Sequence, residues 1–322
     1  MASDLVIAGW GSNAFGVRST RGNFNEPPPT AQRERLPRAH HVLQGIKKRF
    51  SSMPTDVSVN PIAPWLGGKR NLAKRICAII DQDKHDTYAE PFVGMGGIFL
   101  RRKSAAKSEL INDKHREIYT LFRVLQEHYV AFLDLLRFQI TTQANFARLV
   151  ATDPNTLTDM QRAARFLYLQ RCSFGGKVTG QTFGLSPDRS ARFNLTTLER
   201  DLEALHTRLA GVTVMNIDCA EFISRVDRKT ALFYLDPPYW GHESDYGPDV
   251  FDRDRFEQLA QLLSGMNGRF LLSINDVPEI RALFAWAEVH EVQTTYTAGL
   301  TDQSRGKRAE LLIGNFEFNV PR

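Results

Sequence analysis

Four consecutive residues, Asp236, Pro237, Pro238 and Tyr239, have the chemistry to hold an amino group. Neither proline has a backbone N–H, so this tetrapeptide offers carbonyl acceptors and one carboxylate, with no amide donor at either proline. An exocyclic NH2 group has two donors to satisfy, and the tyrosine ring gives a flat face on which a planar ring can stack. The apolar run 231–235 just before it predicts a buried strand, which favours a binding pocket over an ordinary proline turn.

Two further groups lie upstream, each at the end of a predicted strand. A glycine turn at 94–97 allows a ligand close to the backbone, and Asp113 can accept hydrogen bonds from ribose hydroxyls. Taken singly, such a turn is most often structural, and an aspartate at a strand end most often caps a helix. Ligands of doubly wound sheets bind beyond the carboxyl ends of the strands, so we expect both groups to converge with the tetrapeptide.

Strand and helix patterns alternate in two blocks of the chain, which indicates an open, largely parallel α/β sheet. A helix is expected at 98–102, directly after the glycine turn. Between the blocks, residues 129–208 are helical at both ends and loop-like from 172 to 194, which predicts an insertion rather than further sheet. The strands are expected at 88–92, 109–113, 212–217, 231–235, 269–274 and 289–295.

These patterns divide the chain into a tail, a catalytic domain and an insertion. Residues 1–60 are rich in Gly, Asn, Pro, Arg and Ser and show little periodicity, so we expect a disordered or loosely attached basic tail. The catalytic domain comprises 61–128 and 209–322, and the insertion comprises 129–208. The 42% hydrophobic content of the 322-residue chain is sufficient for such a domain with a sizeable insertion.

Positive charge is concentrated in two regions. The net charge of +5 combines +4 over residues 1–64 with +5 over residues 161–194, and the remaining residues are slightly acidic. This distribution suggests a polyanionic partner such as nucleic acid, although the same charge could serve solubility.

Composition disfavours several other classes of protein. Cys77, Cys172 and Cys219 are widely spaced in or beside apolar segments, which predicts reduced core thiols and a cytoplasmic protein. The histidines lack cysteine or carboxylate partners at metal-ligand spacing, so no metal is expected. No apolar stretch approaches the length of a membrane span.

Five segments in a fixed order resemble the motifs of the Dam-type adenine-specific DNA methyltransferases, with phage and prophage members most similar. They are WLGGK (65–69), EPFVGMG (90–96), IND (111–113), FLYLQR (166–171) and DPPY (236–239). The resemblance runs from about residue 62 to 315. Because the glycine motif precedes the tetrapeptide with a long insertion between them, the chain resembles the alpha arrangement. This likeness implies a Rossmann-like, S-adenosylmethionine-dependent methyltransferase fold with a mainly helical inserted DNA-recognition region.

The resemblance also assigns residues to the methyl donor. Trp65 and Lys69 would flank S-adenosylmethionine, and Asp113 would hold its ribose. Asp218, after the strand predicted at 212–217, matches the family's acidic contact near the donor's adenine. The remaining residues of this set are the cradle after the first strand and the tetrapeptide carboxylate: Glu90, Pro91, Phe92, Gly94, Gly96 and Asp236.

The chemistry of the tetrapeptide agrees with methyl transfer to an exocyclic amine. The N6 lone pair of adenine is conjugated into its ring and the donor is an activated sulfonium, so the protein must mainly align and polarise. The Asp236 carboxylate and the Pro237 carbonyl can accept the two N–H bonds and aim the lone pair at the methyl group. Because that atom is inaccessible in a stacked duplex, the base must be flipped out, and Tyr239 is placed to stack on it. Pro238 completes the catalytic set.

The insertion supplies the expected contacts to double-stranded DNA. Phe174 lies in a loop that, in the family, enters DNA beside the target, where an aromatic ring can fill the gap left by the flipped base. Gly175 stands where better-known members carry Asn, so we transfer no recognition sequence. Lys177, Arg189 and Arg192 are candidate phosphate contacts.

Three alternatives stay open on sequence alone. Cytosine N4 presents the same donors as adenine N6, and the tetrapeptide cannot choose between them. A DNA-binding module that keeps the fold without turnover is disfavoured by the intact tetrapeptide. A nicotinamide oxidoreductase is disfavoured because the glycine turn lacks the six-residue spacing of that fingerprint. The sequence does not indicate the oligomeric state, for which a monomer is plausible, or pairing with a restriction enzyme.

Overall fold

The computed structural model describes residues 56–185, 188, 190–243, 251–296 and 306–321. Most of the predicted tail, residues 1–55, lies outside them. Its last five residues, 56–60, run along the folded body, where Val57 N–H donates to the Lys103 carbonyl at 2.9 Å and Val59 N–H to the Leu100 carbonyl at 2.7 Å.

A seven-stranded sheet forms the centre of the fold, with the order β3-β2-β1-β4-β5-β7-β6. The strands are β1 (Thr87–Glu90), β2 (Ser108–Asn112), β3 (Thr213–Met215), β4 (Ala231–Leu235), β5 (Arg269–Asn275), β6 (Glu288–Tyr296) and β7 (Gly306–Gly314). Strands β1 to β5 pair in parallel, and β7 runs antiparallel between β5 and β6. This arrangement confirms the predicted Rossmann-like methyltransferase fold.

The central strands β1 and β4 are buried along their whole length. Parallel strands covered by helices on both faces have continuous apolar runs, which explains why 231–235 shows no polar alternation. Strand order reverses between β1 and β4, which are neighbours although about 140 residues separate them in the chain. Such a reversal opens a crevice at the carboxyl ends of the strands.

Nine α-helices lie among the described residues. Those outside the insertion are α1 (Ala73–Gln82), α2 (Arg116–Glu127), α7 (Cys219–Val226), α8 (Asp254–Ser264) and α9 (Pro278–Leu283). The helix predicted at 98–102 is a short 3-10 helix, Phe99–Arg101. The backbone there has just left two glycines with positive φ, and it turns back to an extended conformation at Arg102 before β2.

Two apolar clusters cover the two faces of the sheet. Alternate residues of β4 belong to different clusters, Leu232 and Tyr234 to one, Ala231 and Phe233 to the other. Because successive strand side chains point to opposite faces, the clusters lie on opposite sides. The three cysteines are buried and free, as predicted.

The insertion is mainly helical, with α3 (Tyr129–Leu136), α4 (Gln143–Ala151), α5 (Asp159–Cys172) and α6 (Leu195–Arg208). Its buried side chains join the same cluster as α1 and α2, so it shares a core with the sheet. A buried ion pair reinforces this contact, since Arg162 Nη1 of α5 lies 2.6 Å from Glu117 Oε1 of α2.

Candidate active site

A cavity of about 900 Å³ opens beyond the carboxyl ends of the central strands. The catalytic domain lines one side, and residues at the start of α6, such as Asn194 and Thr197, line another. The predicted site residues in its wall are Trp65, Lys69, Glu90, Phe92, Gly94, Asp113, Arg192, Asp236 and Pro238. The structure therefore brings together segments that lie far apart in the sequence.

Position 94 requires glycine because of close packing as well as backbone conformation. Its φ is +49°, and a Cβ placed there would lie 2.6 Å from Trp65 Nε1. The indole is held by edge contacts with Phe166 and His115, both with ring centroids 6.3 Å away. Because Gly94 has no side chain, the Trp65 indole can pack directly against the turn and form part of the cavity wall. Gly96, with a φ of +73°, shapes the same turn behind the cavity.

Asp113 connects the end of β2 to the glycine turn. Its Oδ2 accepts from Gly94 N–H and its Oδ1 from His115 N–H, each at 2.8 Å. Burial raises the pKa of this carboxyl to about 6, although both hydrogen bonds lower it. A carboxylate oxygen has more than one acceptor position, so these contacts leave Asp113 able to accept from a ligand as well.

Glu90 ends β1 in a fully buried position, where Tyr88 Oη–H donates to its Oε1 at 2.7 Å. Burial raises its pKa to about 8, so the carboxyl is mostly protonated at neutral pH. The next carbonyl, that of Pro91, accepts from Asn112 Nδ2 at 3.1 Å. Asn112 also bonds both backbone groups of Ile217, which fixes the ends of three strands relative to one another. Asn112 belongs to the IND motif at 111–113, but the sequence does not show these contacts.

The tetrapeptide follows β4 and is tied to the 65–69 segment through one ammonium group. Lys69 Nζ lies 2.7 Å from Asp236 Oδ1 and donates to Tyr239 Oη at 2.8 Å and to the Gly67 carbonyl at 3.2 Å. Burial raises the pKa of Asp236 to about 6, while Lys69 opposes that shift. Lys69 is 3% exposed, so these interactions are shielded from water.

Two polar residues of β5 hold the tetrapeptide from the other side. Ser273 Oγ donates to Asp236 Oδ1 at 3.3 Å and shares a 2.7 Å hydrogen bond with Tyr234 Oη. Asn275 accepts from Trp240 N–H at 2.9 Å and donates to the Trp240 carbonyl at 3.1 Å. These contacts fix the tetrapeptide and the residue that follows it against β5.

The sequence of this site has recognisable relatives. A family model for D12 class N6 adenine-specific DNA methyltransferases matches residues 65–298, which is well over half of the chain. The chain belongs to this family.

Individual members of the family match this methyltransferase at modest identity. The type II methyltransferase M1.LlaDCHI of Lactococcus lactis subsp. cremoris is 25% identical over 81% of this chain and 96% of that protein. A DNA adenine methylase of Salmonella typhi is 25% identical over 77% of this chain and 92% of its own length. The DNA N-6-adenine-methyltransferase of Escherichia phage P1 is 24% identical over 69% of this chain and 31% of that protein.

Asp218 of this D12-class methyltransferase lies outside the cavity wall. It is the N-cap of α7, with Oδ1 accepting from Ala220 N–H at 2.9 Å, and its Oδ2 lies 2.6 Å from Arg255 Nη1. These contacts give the carboxylate a structural role, and its contact with the donor's adenine stays a prediction.

The loop from Ser173 to Asn194 presents Phe174 at 36% exposure. Gly175 has a φ of +70°, and a Cβ there would meet nothing within 4 Å. Asparagine tolerates this left-handed conformation better than most residues, which explains how Gly and Asn can both occupy the position. The Gly176 carbonyl accepts from Gln170 Nε2 at 2.6 Å and Leu66 N–H at 3.1 Å, and so links this loop to the 65–69 segment.

Most arginines in the basic insertion of the methyltransferase contact protein groups. Arg165 Nε donates to the Leu149 carbonyl at 2.7 Å, and Arg192 Nη1 donates to the Ser173 carbonyl at 2.9 Å. The charge count therefore overstates the surface available to a polyanion, because sequence alone does not show these partners. Lys177 is exposed, and Arg189 lies outside the described residues.

Among the described residues, no group of His, Cys, Asp and Glu side chains is arranged to hold a metal ion. The helices in that part of the chain are also too short or too polar to cross a membrane.

Proposed function

We propose that this methyltransferase binds S-adenosylmethionine in the cavity and transfers its methyl group to N6 of an adenine extruded from double-stranded DNA. The observation that carries this proposal is the position of Asp236 in the same cavity as the glycine turn and Asp113. The insertion 129–208 recognises the DNA, and the protein acts in the cytoplasm.

The chemistry of the cavity fits the donor. Asp113 supplies carboxylate acceptors for ribose hydroxyls, while Trp65 and Phe92 provide apolar surface for the adenosine. The carboxylates of Asp113 and Asp236 in the cavity wall suit a sulfonium cation. When bound, S-adenosylmethionine supplies a methyl group already activated for transfer to a nucleophile. Pro91 and Gly96 support this cradle from behind the wall.

The tetrapeptide orients the amine. The Asp236 carboxylate and the Pro237 carbonyl accept its two N–H bonds, which draws the nitrogen toward tetrahedral geometry and raises the availability of its lone pair. Pro238 forms part of the cavity wall, and Tyr239, fixed through its hydroxyl by Lys69, stacks on the extruded base. As N6 gains the methyl group it loses one proton, which Asp236 accepts and passes to solvent.

The raised pKa of Asp236 predicts the pH below which the rate of methyl transfer falls. The carboxyl is a strong acceptor for the amine N–H only when ionised, and its pKa in the folded protein is about 6. The single-turnover rate should therefore fall about tenfold per pH unit below pH 6, rather than near pH 4 as for an exposed aspartate. Rates measured between pH 5 and 8 with saturating DNA check this, and a rate that stays level down to pH 5 contradicts it.

Lys177 is the best-placed described phosphate contact, because its side chain is exposed on the loop that carries Phe174. Removal of one phosphate contact lowers the slope of log K against log salt by about 0.9. We expect Lys177→Ala to show this decrease, with little change in sequence preference. Lys229→Ala, which removes an exposed lysine just before β4 at the opposite edge of the sheet, should keep the wild-type slope. Equal slopes for both variants would remove Lys177 from the interface.

Transfer of a radiolabelled methyl group to DNA, followed by digestion to nucleosides, tests the proposed function. The expected product is N6-methyl-2′-deoxyadenosine. Label in N4-methyl-2′-deoxycytidine would identify the other exocyclic amine as the target, and donor and DNA binding without transfer would identify a silent homologue. A thermal shift with NAD and none with S-adenosylmethionine would favour the oxidoreductase.

A further inference from the structure

A second buried carboxylate, that of Glu310, lies beside the ammonium group that anchors the tetrapeptide. Glu310 is on β7 opposite Asn275 of β5, and it is 1% exposed. Its Oε2 is 3.9 Å from Lys69 Nζ, which also lies 2.7 Å from Asp236 Oδ1. One ammonium is thus shared by two carboxylates from different strands.

This sharing matters because Asp236 pairs with the Lys69 ammonium and, in the proposed reaction, must also accept from the target amine. An ammonium at 2.7 Å draws electron density from the carboxylate and weakens it as an acceptor for another donor. A second carboxylate on the same ammonium opposes that effect. Glu310 also adds negative potential at Asp236, where its charge raises the pKa while Lys69 and Ser273 lower it.

We propose that Glu310 is a positioning residue for methyl transfer, because its carboxylate shares Lys69 with Asp236 and so leaves Asp236 able to accept hydrogen bonds from the target amine. This inference rests on the proposed function. Glu310 carries no motif signal in the sequence, so only the pairing of β7 with β5 brings it to the site.

Any test must distinguish the effect of Glu310 on Asp236 from the effects of the other groups nearby. The titratable and polar groups that influence it are Lys69, Glu90, Tyr234, Tyr239, Ser273 and Glu310. The pKa of Glu90 is raised by burial to about 8. This is well above the acid limb of the pH–rate profile, which is the range below about pH 6 where protonation of Asp236 lowers the rate. Ser273 contacts Asp236 directly and has the opposite influence on its pKa to that of Glu310.

The experiment compares pH profiles of single-turnover methyl transfer for wild type, Glu310→Gln and Ser273→Ala. The glutamine variant keeps the shape of the side chain and removes its charge, so the acid limb should move about one pH unit lower. Its plateau rate should fall about tenfold, since Lys69 then pairs with Asp236 alone. Ser273→Ala should move the limb in the opposite direction. Affinity for S-adenosylmethionine should stay within about twofold of wild type in both variants.

A matched control is Glu291→Gln, which removes an exposed carboxylate from the neighbouring strand β6 and should reproduce the wild-type profile. If the Glu310→Gln protein does not fold, Glu310→Asp provides the test, because it moves the same charge away from Nζ and should give a smaller shift of the same sign.

If the wild type is active but the Glu310 variant shows an unshifted acid limb or an unchanged plateau rate, the role of Glu310 is refuted. The proposed function is not affected by that result. A folded wild type that transfers no methyl group to DNA would instead refute the proposed function.

Discussion

Replacing Asp236 with alanine should abolish methyl transfer while leaving donor binding partly intact. The carboxylate is the group in the cavity placed to accept from the target amine, and it is held in position by Lys69 and Ser273. Loss of one preorganised polar group that acts in the transition state costs a hundredfold to a thousandfold, and loss of a charged one should reach at least about a thousandfold. Asp113 and Trp65 remain in the variant, so much of the donor's contact surface persists.

Two measurements define this result. Single-turnover transfer to DNA gives the loss of rate, and calorimetric titration with S-adenosylmethionine gives the retained affinity. Asp236→Asn should be as inactive as alanine, because Lys69 Nζ would hold the side-chain oxygen and leave the NH2 group facing the NH2 of the target. Asp86→Asn, at an exposed position just before β1, should retain full activity. Near-wild-type turnover in Asp236→Ala would refute the assignment.

Gly94→Ala should weaken donor binding by about tenfold to a hundredfold, the cost of one hydrogen bond to a carboxylate. The new Cβ would lie 2.6 Å from Trp65 Nε1, so the indole or the turn must move. Movement of the turn breaks the 2.8 Å bond from Gly94 N–H to Asp113, and movement of the indole displaces the cavity wall. The left-handed φ adds strain of about 1–3 kcal/mol.

Gly211→Ala is a control that introduces backbone strain without a steric clash. Gly211 also has a positive φ, +81°, but a Cβ there would meet nothing within 4 Å. This variant should lose stability by about 1–2 kcal/mol and bind the donor as wild type does. Donor affinity and melting temperature, measured for both variants, test the difference. Equal donor affinities would show that the Trp65 contact with Gly94 does not shape the donor site.

The local patterns that sequence predicts well are those carried by contiguous residues. The apolar run before the tetrapeptide correctly predicts the buried strand β4, since a parallel strand covered on both faces needs no polar alternation. Likewise, the alternation of strand and helix patterns correctly predicts an open, largely parallel sheet. The helix predicted after the glycine turn is present but is limited to one short 3-10 turn, because the backbone has just left two glycines with positive φ.

Contacts between distant segments could not be read from the sequence in this way. Lys69 and Tyr239 are 170 residues apart, and only the folded sheet shows that the lysine fixes the tyrosine hydroxyl. Glu310 was missed for the same reason. The basic insertion shows the opposite error, since Arg162 looks available in the sequence but is buried in the structure and pairs with Glu117.

The most direct test is to read base modifications in the DNA of a methylation-deficient host that expresses the protein. The wild-type chain should place N6-methyladenine at nearly every copy of one short sequence, and Asp236→Ala expressed at the same level should place none. Wild-type protein that is folded and abundant but leaves adenine unmodified, or an Asp236→Ala variant that modifies it equally, would contradict methyl transfer through the tetrapeptide.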